Sequence, residues 1–193
     1  MLTLLLDNRV DANDTREYEE TMLYTALRDN KISAVKVLLE RGGDPHFFEE
    51  GMDESTFSHA IEYSSLNIIE FLLEYIESDK VNSYGGHCGT ALQRAVSIGR
   101  KDALRLLILY KSDVNLNLSI YGSALHQAAT AGHVSVVSYL MSRGANPNTY
   151  CEQGSLLQAT LSYSNSPVVN SLLSYSEIDV KTRVVIEMLS SKL

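Results

Sequence analysis

Pairs of large apolar residues recur along this chain at intervals of 32 to 35 residues. We expect each pair to lie on a helix that buries it against a neighbouring element. A period of this length, repeated over the whole chain, is typical of an array of similar structural units. The six pairs are Leu5-Leu6, Leu38-Leu39, Leu72-Leu73, Leu107-Ile108, Leu140-Met141 and Leu172-Leu173.

A shorter helix is predicted in front of each of the last five pairs. Each begins after a hydroxyl residue that can cap it, namely Thr21, Ser55, Thr90, Ser123 and Ser155. Thr90 with Gln93, and Ser155 with Gln158, have the sequence form of a capping box. A small residue follows, so that two helices can approach closely: Ala26, Ala60, Ala95, Ala128 and, less well, Thr160.

Each short helix is expected to end at a residue in the left-handed conformation, which glycine adopts most easily. These residues are Asn30, Ser64, Gly99, Gly132 and Ser164. After each long helix comes an Asp or Asn that suits a tight turn, at Asp11, Asp44, Asp79, Asp113, Asn146 and Asp179. The sequence therefore predicts a repeated helix, turn, helix and extended turn.

The pattern G-[ST]-A-L-[HQ]-x-A, which opens the repeats at Gly89 and Gly122, resembles the ankyrin repeat. The resemblance implies an all-α fold, an ankyrin-repeat solenoid of stacked helix-turn-helix pairs with projecting inter-repeat turns. The chain departs from the family pattern where proline is replaced at Met22, Thr56, Ala91, Ala124 and Leu156. The stretch EYIESDKVN also carries one extra residue, so less regular structure is expected there.

A single ankyrin array is predicted over residues 1–193. Its parts are a truncated repeat at 1–19, repeats at 20–53, 54–88, 89–121, 122–153 and 154–183, and a C-terminal helix or tail at 184–193. The opening residues align with a second helix that lacks its first helix, so Leu2, Leu4 and Leu5 are predicted to contact a missing neighbour or a second copy end to end. Val184, Val185, Met188 and Leu189 have the spacing of a makeshift cap.

The acidic residues are concentrated in the first part of the chain. Residues 1–80 carry 18 acidic and 7 basic residues, whereas residues 81–193 carry 6 and 9. This distribution favours a protein or peptide partner with a basic surface and disfavours nucleic acid. The alternative is a solvated acidic face that keeps the protein soluble. The longest apolar runs are too short for a membrane span, so no membrane partner is expected.

No catalytic motif, cofactor-binding motif or metal-binding motif was recognised. His126 occupies the histidine of the family motif, where the resemblance implies a structural hydrogen bond to the neighbouring turn. His87 and Cys88 have only Cys151 as a further thiol, which is too few ligands for a zinc site. The acidic pairs Glu19-Glu20, Glu49-Glu50 and Asp53-Glu54 are predicted to be water-exposed turn tips. An enzyme that uses His87, Cys88 and Cys151 remains the less favoured alternative.

In ankyrin-like proteins the partner lies in a groove formed by turn tips and first helices. Carried over to this chain, the predicted contact residues before each interhelical turn are Arg28, Asp29, Glu62, Tyr63, Ser97, Ile98, Thr130, Ala131, Ser162 and Tyr163. The predicted turn-tip residues are Tyr18, Glu19, Met52, Asp53, His87, Ile120, Tyr121 and Glu152. Tyr75, Tyr110 and Tyr175 are instead expected to pack across repeat interfaces.

The sequence thus predicts a non-enzymatic protein-interaction module or scaffold. The alternative is a regulatory or autoinhibitory ankyrin segment of a larger multidomain signalling protein. Two cysteines and the lack of a recognisable signal peptide favour a cytoplasmic location. The alternative is a peroxisomal location, if Ser191-Lys192-Leu193 is the native C-terminus.

Overall fold

The computed structural model describes residues 11–15, 20–47, 54–87, 89–117, 120, 122–176 and 178–179. The chain divides into two compact units, Met1–Ser112 and Asp113–Leu193. The helices of the first unit are α1 Met22–Arg28, α2 Ile32–Glu40, α3 Thr56–Tyr63, α4 Leu66–Tyr75, α5 Ala91–Ser97 and α6 Lys101–Leu109. Those of the second unit are α7 Ala124–Thr130, α8 Val134–Ser142, α9 Leu156–Ser162 and α10 Ser166–Leu173.

Consecutive helices pair into hairpins, and neighbouring hairpins stack within each unit. In the first unit α1 packs on α3, α3 on α5, and α4 on α6. In the second unit α7 packs on α9, and α8 on α10. A short turn joins the two helices of each hairpin. The first helices of neighbouring hairpins pack on each other, as do the second helices, so the all-α repeat architecture predicted from the sequence is confirmed.

The predicted starts of the five short helices are confirmed. The hydroxyl of each capping residue accepts a hydrogen bond from the backbone N–H three residues later, at Thr21, Ser55, Thr90, Ser123 and Ser155. The reciprocal bonds that complete a capping box form at Thr90 and Ser155. Each start is therefore stabilised by residues of the same helix.

The left-handed helix ends are confirmed at four of the five positions. Asn30, Gly99, Gly132 and Ser164 have φ angles of 56°, 70°, 79° and 57°. The prediction is wrong at Ser64, which is extended, with φ −84° and ψ 155°. The Ser64 hydroxyl donates a 2.9 Å hydrogen bond to the Leu27 carbonyl in the preceding repeat, and this bond stabilises the extended conformation.

The first residue of each described apolar pair lies in the core of its unit. Leu38, Leu72 and Leu107 are at most 1% exposed in the first unit, as are Leu140 and Leu172 in the second. Ala60, Ala95 and Ala128 are fully buried where the short helices approach their neighbours. Thr160 is also fully buried there. Its hydroxyl donates a 2.6 Å hydrogen bond to the Leu156 carbonyl of its own helix, so the buried polar group has a partner.

Asparagine side chains connect successive turns within each unit. Asn13 Nδ2 donates to the Gly42 carbonyl over 2.9 Å, and its Oδ1 accepts from the Asp44 N–H over 2.8 Å. In the second unit Asn115 makes the same two bonds, to the Gly144 carbonyl and from the Asn146 N–H, over 3.1 and 2.8 Å. These bonds satisfy backbone groups that the turns would otherwise leave to water.

Two segments depart from the regular repeat. The stretch with the extra residue forms a 3₁₀ helix at Lys80–Asn82. In the second unit, the antiparallel strands β1 Tyr150–Cys151 and β2 Gly154–Ser155 form a small hairpin before α9. Among the residues described, no helix is both long and apolar enough to span a membrane.

Candidate partner-binding face

The exposed ends of α1, α3 and α5 form a surface that we call the first-helix face. It consists of Arg28, Asp29, Glu62, Tyr63, Ser97 and Ile98. All six belong to the first unit, and all were predicted as contact residues. Tyr63 is 49% exposed and Ile98 is 37% exposed, so the face presents large apolar groups to solvent.

A stack of three aromatic rings ends in this face at Tyr63. The Tyr24 and His59 rings are stacked, with centroids 3.7 Å apart and an interplanar angle of 24°. On its other side the His59 ring lies against Tyr63, with centroids 4.4 Å apart. The stack runs from half-buried Tyr24, through buried His59, to exposed Tyr63. Burial and then the Glu54 carboxylate raise the pKa of Tyr24 to about 12, so its hydroxyl remains neutral and can donate a hydrogen bond.

Arg94 joins two carboxylates beneath the face. Its Nε lies 3.1 Å from Glu54 Oε2, and its Nη2 contacts Glu62 Oε2. Glu54 also approaches His59, with 3.4 Å between Oε1 and Nδ1. The Glu54 side chain is only 13% exposed, so the prediction of a water-exposed turn tip is wrong for this residue. Arg94 draws it inward because a buried carboxylate requires a compensating cation.

Backbone contacts set the position of the end of α3. Arg100 Nη1 donates to the Ile61 carbonyl over 2.7 Å and to the Glu62 carbonyl over 3.2 Å. Asn30 Nδ2 donates to the Tyr63 carbonyl over 3.1 Å. The interhelical turns of the preceding and following repeats therefore both hold the segment that carries Glu62 and Tyr63.

Charged pairs border the face at α1. Arg28 contacts Glu20 over 2.7 Å, and Lys31 contacts Asp29 over 2.8 Å. The Lys31 hydrogen bond, followed by its charge, lowers the pKa of the exposed Asp29 carboxyl. The neighbouring Glu62 carboxylate, through hydrogen bonding and then through its charge, raises the pKa of Tyr63. The His59 ring supports the Tyr63 ring on one side.

In the second unit, the predicted residues that precede the interhelical turns lie at the ends of α7 and α9. Ala131, Ser162 and Tyr163 are exposed, and Thr130 is half-buried. Asn165 donates to the Ala129 carbonyl over 3.1 Å and also to the Thr130 carbonyl, which ties the two interhelical turns together. The Tyr163 hydroxyl accepts a 3.3 Å hydrogen bond from Gln153, beside exposed Glu152 in the β1–β2 turn.

His126 has the structural role that the resemblance implied. It is fully buried, and its Nδ1 lies 3.1 Å from Ser123 Oγ and 3.3 Å from Thr149 Oγ1 in the next turn. Burial is the main reason that the pKa of His126 is lowered from the ordinary value of 6.5. His126 is thus a neutral capping and bridging residue, and it does not reach the exposed ends of the helices.

Of the remaining predicted residues, some are exposed and some lie outside the described part of the chain. His87 is exposed, and Ile120 is 56% exposed. Tyr18, Glu19, Met52, Asp53 and Tyr121 lie outside the described residues, as do Cys88 and both chain ends. Within the described part of the chain, no group of three or more His, Cys, Asp or Glu residues could hold a metal ion.

Tyr24, Glu54, His59 and Arg94 were missed as contributors to this face. His59 and Arg94 both lie four residues after a helix cap, at Ser55 and Thr90. Equivalent positions of adjacent repeats are neighbours in a stacked array. Polar residues at this position in two successive repeats were therefore the signal that sequence analysis could have used.

Comparison with known proteins identifies the repeat type. The family described as ankyrin repeats (3 copies) matches residues 1–84 and 92–183. The chain is 32% identical over 89 residues to the Notch-regulated ankyrin repeat-containing protein of Homo sapiens, covering 45% of this chain and 78% of the relative. It is 31% identical over 119 residues to the B-cell lymphoma 3 protein homolog of Mus musculus, covering 60% and 26%. Alpha-latrotoxin-Lg1a of Latrodectus geometricus is 28% identical over 124 residues, covering 64% and 9%.

Proposed function

This chain belongs to the ankyrin-repeat family, and on that basis we propose that it is a non-enzymatic scaffold module that binds a protein or peptide through its first-helix face. Ankyrin repeats are generally protein–protein interaction modules and are typically not enzymes. The observation that supports this site is the exposure of Tyr63 and Ile98 above a layer of paired polar side chains. Tyrosine offers a large contact area at low entropic cost, and aromatic residues dominate binding energy at interfaces.

The face is organised before any partner arrives. The Tyr63 ring rests on His59, and the Tyr63 carbonyl accepts a hydrogen bond from Asn30. Groups that are already ordered lose little conformational entropy on binding, so more of the contact energy contributes to affinity. Arg94 pairs with both Glu54 and Glu62, so neither carboxylate is a buried charge without a partner.

The charge distribution favours a basic partner surface. The excess of acidic residues in positions 1–80 would attract such a surface over long distances and repel nucleic acid. A cytoplasmic location, without a membrane partner, is part of this proposal. The alternative role as a regulatory segment of a larger protein draws support from the matches to 26% and 9% of two longer proteins.

Affinity capture from a lysate of the source cells tests the proposed face. The full chain is compared with Tyr63→Ala and with Tyr75→Ala, a control at a tyrosine that is 47% exposed at the end of α4. Tyr75 also donates a hydrogen bond to the Leu39 carbonyl, so its replacement controls for loss of stability. Circular dichroism must show that both variants are folded.

A partner captured by the wild-type chain and Tyr75→Ala, but lost with Tyr63→Ala, would support the first-helix face. Equal capture by all three proteins would place the contact elsewhere. No specific capture would contradict the interaction role and favour a segment that contacts only its own chain.

A further inference from the structure

The exposed end of the aromatic stack combines a ring with a carboxylate. Tyr63 is 49% exposed, and half-buried Glu62 directly precedes it at the end of α3. A cation over the face of a tyrosine ring is attracted by the ring's quadrupole, and a neighbouring carboxylate adds hydrogen bonds and opposite charge. This pair therefore has the chemistry of a subsite for a positively charged side chain.

A guanidinium already binds on the inner side of the same carboxylate. Arg94 spans Glu54 and Glu62 with two different nitrogens, as a planar fork allows. A carboxylate offers about four lone-pair positions, and the hydrogen bond described between Arg94 and Glu62 uses one of them. Glu62 therefore retains acceptor capacity for a second guanidinium, and arginine suits this combined ring and carboxylate better than lysine.

The neighbouring repeat offers an apolar contact at the equivalent position. Tyr63 ends α3, and Ile98, which is 37% exposed, follows α5 directly. The two helices pack against each other. Packed helices lie about 8–10 Å apart. An extended chain in the polyproline II conformation has three residues per turn and advances about 3.1 Å per residue, so side chains three residues apart lie on one side, about 9 Å from each other.

Building on the function proposed above, we propose that the partner contributes an extended segment in which an arginine lies three residues from an aliphatic residue. The guanidinium stacks on Tyr63 and binds Glu62, while the aliphatic side chain covers Ile98. The two contacts define a spacing, which the basic character of a partner alone does not.

Selection from a random dodecapeptide phage library on the immobilised full chain tests this inference. We expect enrichment of arginine with Leu, Ile or Val three positions away. A fluorescent synthetic copy of the enriched peptide then gives dissociation constants by polarisation. Replacing its arginine by lysine, or using Tyr63→Ala or Ile98→Ala protein, should weaken binding about fivefold or more.

Matched variants separate specific loss from general destabilisation. Leu109→Ala removes an apolar side chain that is 74% exposed on α6, and Tyr75→Ala removes a tyrosine away from the face. Both should bind the peptide within about twofold of wild type. Tyr63→Phe retains the ring and loses only the hydroxyl, so its affinity for the peptide should lie between those of wild type and Tyr63→Ala.

The other outcomes overturn the inference in distinguishable ways. Enriched peptides that depend on Tyr63 but lack arginine would refute the arginine subsite and leave the proposed face intact. Peptides that bind Tyr63→Ala and Ile98→Ala as well as wild type would refute both proposals. If no peptide is enriched, the linear segment is refuted, and the lysate capture decides the proposed function independently.

Discussion

The side chain of Asn30 holds the end of the next repeat's first helix by donating to the Tyr63 carbonyl over 3.1 Å. Its Oδ1 also accepts from the Ser65 N–H over 2.6 Å. Asn30 itself is left-handed, with φ 56°. One residue thus ends α1 and sets the position of Tyr63, the aromatic residue of the first-helix face.

Replacing Asn30 tests these two roles separately. Asn30→Gly retains the left-handed backbone and removes both side-chain bonds, so we expect a loss of about 1–2 kcal/mol in the free energy of unfolding. Asn30→Ala should lose about 1 kcal/mol more, because alanine is strained in this conformation. Urea denaturation followed by circular dichroism measures both values. Equal stability of the two variants would show that the backbone conformation is not maintained.

Two leucines two positions apart on α6 differ in burial, so replacing each by alanine should change stability by very different amounts. Leu107 is fully buried, whereas Leu109 is 74% exposed. Leu107→Ala should lower the free energy of unfolding by about 2–5 kcal/mol. Leu109→Ala should change it by less than about 0.5 kcal/mol. Similar losses for the two variants would mean that the helix faces its neighbours in a different register.

Gly85 is required for close packing of the inter-repeat turn against α3. A Cβ atom there would lie 2.1 Å from Ser58 Oγ and 3.0 Å from Ser55 Oγ. Gly85→Ala should therefore cost about 1–3 kcal/mol in thermal or urea unfolding. Combining it with Ser58→Ala should recover part of this loss, since the nearer oxygen is removed. Strictly additive losses would contradict a steric origin.

Burial of His126 makes stability depend on pH. Because burial lowers its folded pKa below 6.5, the unfolded chain binds the proton more tightly. The stabilisation is present above the unfolded pKa of about 6.5 and is lost as pH falls through the folded pKa, so the free energy of unfolding should decrease as pH is lowered from about 7. His126→Gln should reduce this decrease, because Gln93 and Gln158 fill the equivalent position without titrating.

The same comparison controls for other titrating groups. Burial also lowers the pKa of His46, and the carboxylates titrate at lower pH, but both contributions are present in each protein. The difference between the two pH profiles, measured by urea denaturation at each pH, therefore reports on His126. Parallel profiles would show that this histidine is not the source.

Features that depend on nearby residues were predictable from the sequence. A cap and its partner lie three residues apart, as with Thr90 and Gln93, and their side chains interact within one helix. The burial of Leu107 and Leu140 likewise follows from a period that repeats along the whole chain. Glycine at positions 99 and 132 indicated left-handed helix ends, because few other residues adopt that conformation at low cost.

Features that depend on contacts between repeats were not predictable. Glu54 was assigned to a solvated turn, and only its pairing with Arg94, 40 residues later, accounts for its burial. Ser64 has the side chain of a plausible left-handed residue, yet its bond to Leu27 stabilises an extended backbone. The first outcome depends on a side chain of the adjacent repeat and the second on the position of one of its backbone carbonyls, and the sequence of a single repeat specifies neither.

Helix starts and helix ends differ in how far their contacts reach. Thr21, Ser55 and Ser155 each cap the helix that they precede, whereas the bonds from Asn30 to Tyr63 and from Asn165 to Ala129 cross to another repeat. Because both acceptors are backbone carbonyls, any neighbouring repeat with the same turn geometry could accept these bonds. The asparagine alone therefore specifies the contact, and a repeat that carries it can join to neighbours of different sequence.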